Sequence, residues 1–167
     1  MSSSINLSEI AIRHQLQPGD IGAVIRLHGK LYYEQFGFGL GFELYVAETF
    51  AGFVRDFKQG SDRVWLAEYR GDFAGFISLV HRSAQQAQLR YFIISPVFRG
   101  LGLGSLLFGK CLESARKCGY DSVYLWTTDL LVQAGAMYRK AGFELVEEGR
   151  SSTFGVPMVE QKYELKL

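Results

Sequence analysis

Apolar and polar residues alternate in "IAIRHQLQ" (Ile10 to Gln17), the period of a strand with one buried face. After "PGD" the period lengthens. Ile21, Val24, Ile25, His28, Leu31 and Tyr32 predict one stripe of a helix, with Asp20 able to cap its start. The ladder "FGFGLG" interrupts this pattern, and a second helix follows with Phe42, Val46, Phe50, Phe53, Val54 and Phe57 along one side. "RVWLAEYR" and "FAGFISLVHRS" read as two strands joined by a tight turn at Gly71-Asp72, and "QAQLRYFIIS" as a third that ends before Pro96. A helix then runs to about Lys117 and closes at Gly119. "SVYLWTT" is a strand and "DLLVQAGAMYRKAG" a helix capped by Asp129. "FELVEEG" and "MVEQKYELKL" are the closing strands.

This order predicts an α/β (α+β) fold: a mixed, mostly antiparallel central sheet flanked by helices, with residues 1–167 as a single domain. Composition narrows the function. Apolar residues make up 48% and net charge is +1, so the basic excess of a nucleic-acid binder is missing. Cys111 and Cys118 are too far apart along a helix for a disulfide, and no Cys/His cluster suggests a metal. The polar start "MSSSINLSEI" lacks a signal-peptide core, and no apolar run is long enough to span a membrane. A cytoplasmic protein without membrane or nucleic-acid partners is expected.

Two glycine ladders compete as ligand sites. Gly37, Gly39 and Gly41 alternate with Phe36, Phe38, Leu40 and Phe42 between two helices, with no cation adjacent. They predict a flexible apolar loop, or a mobile lid over a pocket. "RGLGLG" instead lies between a buried strand and a helix. Glycines at 100, 102 and 104 let several N–H groups point one way. The helix start and Arg99 add positive charge, which makes an anion site suited to a pyrophosphate. The dinucleotide fingerprint fails here, because Ser105 or Leu107 stands where its third glycine belongs. The P-loop pattern fails too: "GSLLFGKC" ends in Cys111, and its Leu106, Leu107 and Cys111 belong to a buried stripe with Ala115.

Arg99, Gly102 and Gly104, following "IISP", resemble the acyl-CoA signature of the GNAT (GCN5-related) N-acetyltransferase superfamily. Ala134, Met137-Tyr138 and Gly142-Phe143 match its second motif, whereas Leu131 stands in place of the usual Asn. "HGKLYYEQFGF" and "LWTTDLLVQAGAMYRKAGFELVEE" are similar to the acetyltransferase module fused behind MarR-type DNA-binding domains. No such domain precedes the module in this sequence, so a regulatory role is not carried over.

The resemblance implies acetyl-CoA as acyl donor, no metal, and transfer to a primary amine of a small molecule or peptide by direct attack in a ternary complex. Its pyrophosphate would lie on Arg99, Gly100, Leu101, Gly102, Leu103, Gly104 and Ser105. Its pantetheine arm would follow Phe92, Ile93 and Ile94, where a bulge would open a wedge beside "SVYLWTT". The amide of Ile93 or Ile94 would polarise the thioester carbonyl. Tyr138 matches the family's acid, though an aromatic packed on the sheet is its structural alternative. The base is open, since "QAQLRYFIIS" contains no acid; Glu43, Glu68 and Asp129 are the candidates, each with a purely structural alternative. His28 and Tyr32 share a face that is either core or acceptor site, and Arg90 is either a solvated strand residue or a contact for an acidic acceptor. A binding module that senses acyl-CoA with little turnover is the alternative function. A homodimer through the closing strands follows by analogy.

Overall fold

The computed structural model describes residues 5–167 and turns the predicted segments into strands and helices whose order matches the expectation. The strands are β1 (Ala11–Arg13), β2 (Arg63–Tyr69), β3 (Asp72–His81), β4 (Gln86–Ile94), β5 (Ser122–Thr128), β6 (Glu144–Ser151) and β7 (Met158–Lys166). The α-helices are α1 (Asp20–Phe36), α2 (Leu40–Arg55), α3 (Leu103–Lys117) and α4 (Val132–Lys140). One sheet runs in the order β1-β2-β3-β4-β5-β7-β6. Only the β4–β5 pair is parallel.

Alternation decides which face each strand residue covers. Trp65, Ala67, Ile77, Leu79, Ala87 and Leu89 pack with Leu103, Leu107 and Cys111 of α3 and Tyr138 of α4. Val64, Leu66, Phe76 and Ile93 pack on the other face with Val24 and Leu31 of α1 and Phe50 and Phe53 of α2. The sheet therefore separates α1 and α2 from α3 and α4.

Four local expectations are corrected. The first strand stops at Arg13 instead of Gln17. Its guanidinium donates to the Gln15 carbonyl (2.9 Å) and holds Asp20 (3.0 Å) and Glu68 (2.7 Å), which turns the chain out of the sheet toward α1. Asp20 does not cap α1; Gly19 does, in the left-handed region at φ 101°, and the Asp20 carboxylate accepts from Arg13 and from the Gln17 N–H. The β2–β3 turn is Arg70-Gly71, both with positive φ (52° and 88°), so Asp72 already pairs with Tyr69. Asp129 does not cap α4, which starts at Val132 after Leu131, a residue with no capping side chain.

The first glycine ladder is no flexible loop. Only Gly37, Phe38 and Gly39 lie between α1 and α2, and Gly41 is inside α2. Gly37 ends α1 at φ 73° with its N–H on Tyr33. Phe38 is 2% exposed and packs with Phe42, Val46 and Met158, while the Gly39 N–H donates to the Phe154 carbonyl at 2.9 Å. Gly37 and Gly39 let the chain reverse tightly enough to bury Phe38 between them.

Phe38→Ala is expected to lower unfolding stability by about 3 kcal/mol, the cost of emptying a buried aromatic site. Denaturant unfolding checks this; a loss below ~0.5 kcal/mol, as for an exposed loop residue, would contradict it.

Candidate active site

The parallel pair β4–β5 is short. Gln86, Ala87 and Gln88 pair with Ser122, Val123 and Tyr124, and beyond them the two strands part. A bulge lies at the parting point. Phe76 pairs with Ile93 and Ser78 with Arg90, so Tyr91 and Phe92 together oppose Ile77 alone. Tyr91 takes φ 55°, a left-handed conformation that is costly for an aromatic residue. The bulge thus sits at Tyr91-Phe92, slightly ahead of the expected Phe92–Ile94 stretch. Close backbone approach accompanies it: a Cβ on Gly75 would come within 2.7 Å of Ile94 Cδ1 and 3.0 Å of the Ile93 carbonyl. Past Gln88, the β5-facing backbone of β4 pairs with no strand among the described residues.

The row of open amides begins just beyond the end of β4. Phe98 and Arg99 donate their N–H groups to Ser95 and Pro96, and Leu106 donates to Gly102. Between them, the N–H groups of Gly100, Leu101, Gly102, Leu103, Gly104 and Ser105 have no backbone acceptor among the described residues. Gly100 and Gly102 hold positive φ (75° and 85°), and no protein atom lies within 4 Å of where a Cβ on Gly100 would be. Arg99 is exposed and leans back to the Ile94 carbonyl (3.3 Å). Open donors, a helix N-terminus and a free cation make this an anion cradle at the mouth of the parted strands.

Two tyrosines approach from opposite sides of the sheet. Tyr138, on α4, packs against Phe108 (5.8 Å between ring centroids), Phe143 (5.9 Å) and Tyr163 (6.3 Å). Burial raises its hydroxyl well above the ordinary phenol range, and Tyr32 and Cys111 raise it further. Tyr32, on α1, is pushed up to about 12 by burial, against a downward pull from Arg99. Both phenols are therefore protonated at neutral pH. His28 lies one turn before Tyr32 and stacks on it (5.9 Å, 26°), with its edge to Tyr91 at the bulge (6.5 Å, 86°). Its Nδ1 is 2.8 Å from the Val24 carbonyl, which can only accept, so Nδ1 carries the proton and Nε2 the lone pair. Burial lowers His28 to about 4, keeping the ring neutral.

The carboxylates are held elsewhere. Asp129 accepts the Val159 N–H (2.7 Å) and ties the end of β5 to β7. Glu43 lies against Gly29 in a crevice between α1 and α2 lined also by Arg26, Lys30, Tyr33 and Leu40. Glu68 is paired with Arg13. Arg90 donates to the Tyr45 hydroxyl (3.1 Å) and covers the Tyr91 ring (4.6 Å). The structure sets His28 beside Tyr32 and Tyr91 at the bulge and Tyr138 against Phe108. Glu43 lies against Gly29, Glu68 on Arg13 and Asp129, just past the end of β5, on Val159.

Other features of the site had little signal in the sequence. The hydroxyls of Thr127 and Thr128, at the free end of β5, are buried without a hydrogen-bond partner, as is that of Tyr91. Phe154, in the β6–β7 turn, meets Phe42 (5.0 Å) and Tyr45 (5.4 Å) and joins the α1–α2 turn to Leu130. A break in alternation after Arg90 is the one cue to the bulge; nothing local marked Phe154.

The cradle, the parted strands and the tyrosines fall within a stretch that a family model recognises. Residues 27–143 match the model described as "Acetyltransferase (GNAT) family". The chain belongs to this family. Over 94 residues it is 31% identical to the uncharacterized N-acetyltransferase YjgM of Escherichia coli, covering 54% of this chain and 56% of that protein. Over 89 residues it is 32% identical to N-acetyltransferase family 8 member 3 of Rattus norvegicus, covering 50% of this chain and 39% of that protein. The chain thus spans about half, or less, of the length of the curated relatives it matches. Among solved structures, the Salmonella typhimurium protein yncA with its cofactor acetyl-CoA superposes with a TM-score of 0.74 at 17% identity, covering 95% of this chain and 94% of that one. Spermidine N-acetyltransferase of Vibrio cholerae, in complex with CoA and spermine, superposes with a TM-score of 0.69 at 18% identity, covering 95% and 96%. These likenesses establish the GNAT fold. Among the described residues, no helix is long and apolar enough to cross a membrane, and no group of three or more His, Cys, Asp or Glu could hold a metal ion.

The buried neutral His28 sets a pH dependence. Its folded value of about 4 lies below the ordinary 6.5, so the unfolded chain binds the extra proton as pH falls. The stability that His28 withholds from protonation is present above pH 6.5 and is lost between there and about pH 4. The loss is expected to reach about 3 kcal/mol and to be absent in His28→Gln. Denaturant unfolding of both proteins across this range checks it; parallel curves would contradict it.

Proposed function

We propose that the chain is an acetyl-CoA-dependent N-acetyltransferase that acetylates a primary amine of a small molecule or peptide by direct attack in a ternary complex. One observation carries this reading: an open row of amides, Gly100 to Ser105, lies just beyond the end of β4, where β4 and β5 have parted. Acetyl-CoA would supply an activated acetyl thioester.

The residues fit that group. A pyrophosphate needs converging donors without intervening side chains, and Gly100, Gly102 and Gly104 leave that space beside Arg99. An extended pantetheine arm needs unpaired strand backbone, and β4 offers it along Phe92, Ile93 and Ile94. The Ile93 or Ile94 amide would stabilise negative charge on the carbonyl oxygen. Tyr138 would donate a hydrogen bond to the departing sulfur and, through it, the proton that the sulfur takes up; burial keeps that phenol protonated. Tyr32 and His28 would face the acceptor.

A sensor that binds an acyl-CoA without turnover is less well supported. Leu131 removes one polar group at the start of α4, but Tyr138 leaves an acid in place. The stretches His28 to Phe38 and Leu125 to Glu148 would place the chain, within the family, beside the acetyltransferase modules fused behind MarR-type domains. Strand β6 lies at the sheet edge and is exposed on both faces, so it is the strand through which a homodimer would form.

Tyr138→Phe is expected to lower kcat at least about tenfold, as for loss of a general acid, while the Kd for acetyl-CoA measured by calorimetry stays within twofold of wild type (roughly 0.4 kcal/mol). Unchanged kcat would remove the acid assignment. Gly102→Val places a branched side chain at φ 85° beside the open amides. It should weaken acetyl-CoA binding at least about tenfold (~1.4 kcal/mol). Wild-type affinity in a folded Gly102→Val protein would contradict the cradle.

A further inference from the structure

The proposed reaction requires an amine with a free lone pair, and no carboxylate is brought to the place where that amine must stand. Strand β4 contains no acid. Asp129 is engaged by Val159, Glu68 by Arg13, and Glu43 lies against Gly29 in the outer crevice. The buried groups at the site report the same thing. Burial and the Val24 carbonyl account for the state of His28; burial and Arg99 account for Tyr32; burial, Tyr32 and Cys111 account for Tyr138. No acid perturbs any of the three.

The groups that remain cannot deprotonate an alkylammonium. Among the described residues, His28 is the one neutral nitrogen base that meets Tyr32 and Tyr91. From its own helix it meets the Val24 carbonyl and Tyr32. From β4 it meets Tyr91, which carries the Arg90 guanidinium on its ring, and Glu43 of α2 lies against the neighbouring Gly29. Moving a proton from an ammonium of ordinary lysine basicity, ~10.4, to this buried imidazole is unfavourable by about a million-fold. Tyr32 stacks on Phe42 (4.5 Å), and the partly buried Tyr32, Leu130, Phe154 and Val156 form an apolar wall over the buried Phe38, Phe42 and Met158. A desolvated ammonium would meet aromatic faces there but no anion among these side chains.

Resting on the acetyltransferase reading above, we propose that the acceptor is a weakly basic amine, the α-amino group of a peptide with an uncharged, apolar first side chain, and not a lysine side chain or a polyamine. At pH 7 roughly 300-fold more of an α-amine than of a lysine amine is neutral, so such an acceptor enters without an enzyme base. His28 Nε2 accepts a hydrogen bond from the neutral amine, and the apolar wall covers its first side chain. The N–C bond forms and the C–S bond breaks. The amine loses one proton to solvent, and the sulfur gains one relayed through the Tyr138 hydroxyl as solvent supplies another to that oxygen.

The test follows CoA thiol release by the full chain between pH 6 and 9.5, with three acceptors: a leucine-first tripeptide amide, Nα-acetyl-lysine methylamide and spermidine. Acetyl-CoA binding is first measured by calorimetry. The expected result at pH 7 is a kcat/KM for the tripeptide at least about 30-fold above the other two, a margin that allows for the greater nucleophilicity of the more basic amines. Its pH profile should rise with unit slope and bend at the tripeptide's own amine pKa. Equal or better use of Nα-acetyl-lysine methylamide or spermidine at pH 7 would overturn the proposal. So would a bend at one pH for all acceptors, which would mark an enzyme base. Bound acetyl-CoA with no turnover of any amine overturns the acceptor assignment alone. No acetyl-CoA binding overturns the acetyltransferase reading with it.

Discussion

The site depends on the failure of two parallel strands to stay paired. Hydrogen bonds between β4 and β5 end at Gln88 and Tyr124, and the extra residue at Tyr91-Phe92 turns β4 away from its neighbour. A continuous sheet would satisfy all of its backbone and leave no edge in its middle. The bulge exposes that edge inside the fold. The cost of a positive φ at Tyr91 is met by packing its ring against Phe50 (4.8 Å), Phe53 (5.9 Å) and His28 (6.5 Å). Helices α1 and α2 therefore do more than cover a sheet face; they hold the distortion that opens it.

The same parting lets groups from opposite faces meet. Tyr32 comes from α1 and Tyr138 from α4, and an unbroken sheet would stand between them. Tyr32 nonetheless contributes to raising the Tyr138 hydroxyl, and Arg99, from the cradle, pulls Tyr32 down. Arg99, Tyr32 and Tyr138 are thus electrostatically linked. The site's chemical character is an excess of neutral donors over bases. That suits a reaction whose difficult proton is the one delivered to the leaving group, and whose nucleophile arrives already neutral.

Regular parts of this structure were legible because their signals are local. The 3.6-residue stripe with Leu107, Cys111 and Ala115 marked α3, and "SVYLWTT" became β5 to the residue. The glycines of the cradle were legible because each has a backbone reason that the neighbouring strand and helix make plain. Long-range effects were not. The same glycine-and-phenylalanine letters that suggested a loose loop form a buried reversal, because Phe154, more than 100 residues away, closes over Phe38 (5.5 Å). Asp129 looked like a helix cap, yet its carboxylate serves a strand that follows α4 in the chain. The bulge was foreseen from resemblance; the run "YFII" carries no alternation that could place it to the residue.

The central claim is that unpaired backbone at the parted strands and the glycine turn holds an acyl-CoA. Amide hydrogen exchange, with and without acetyl-CoA, tests it most directly. The account predicts that amides from Gly100 to Ser105, and those of β4 beyond Tyr91, gain protection together when acetyl-CoA is added, while Gly37 and Gly39 do not change. Unaltered exchange along Gly100–Ser105 in the presence of saturating acetyl-CoA would contradict it.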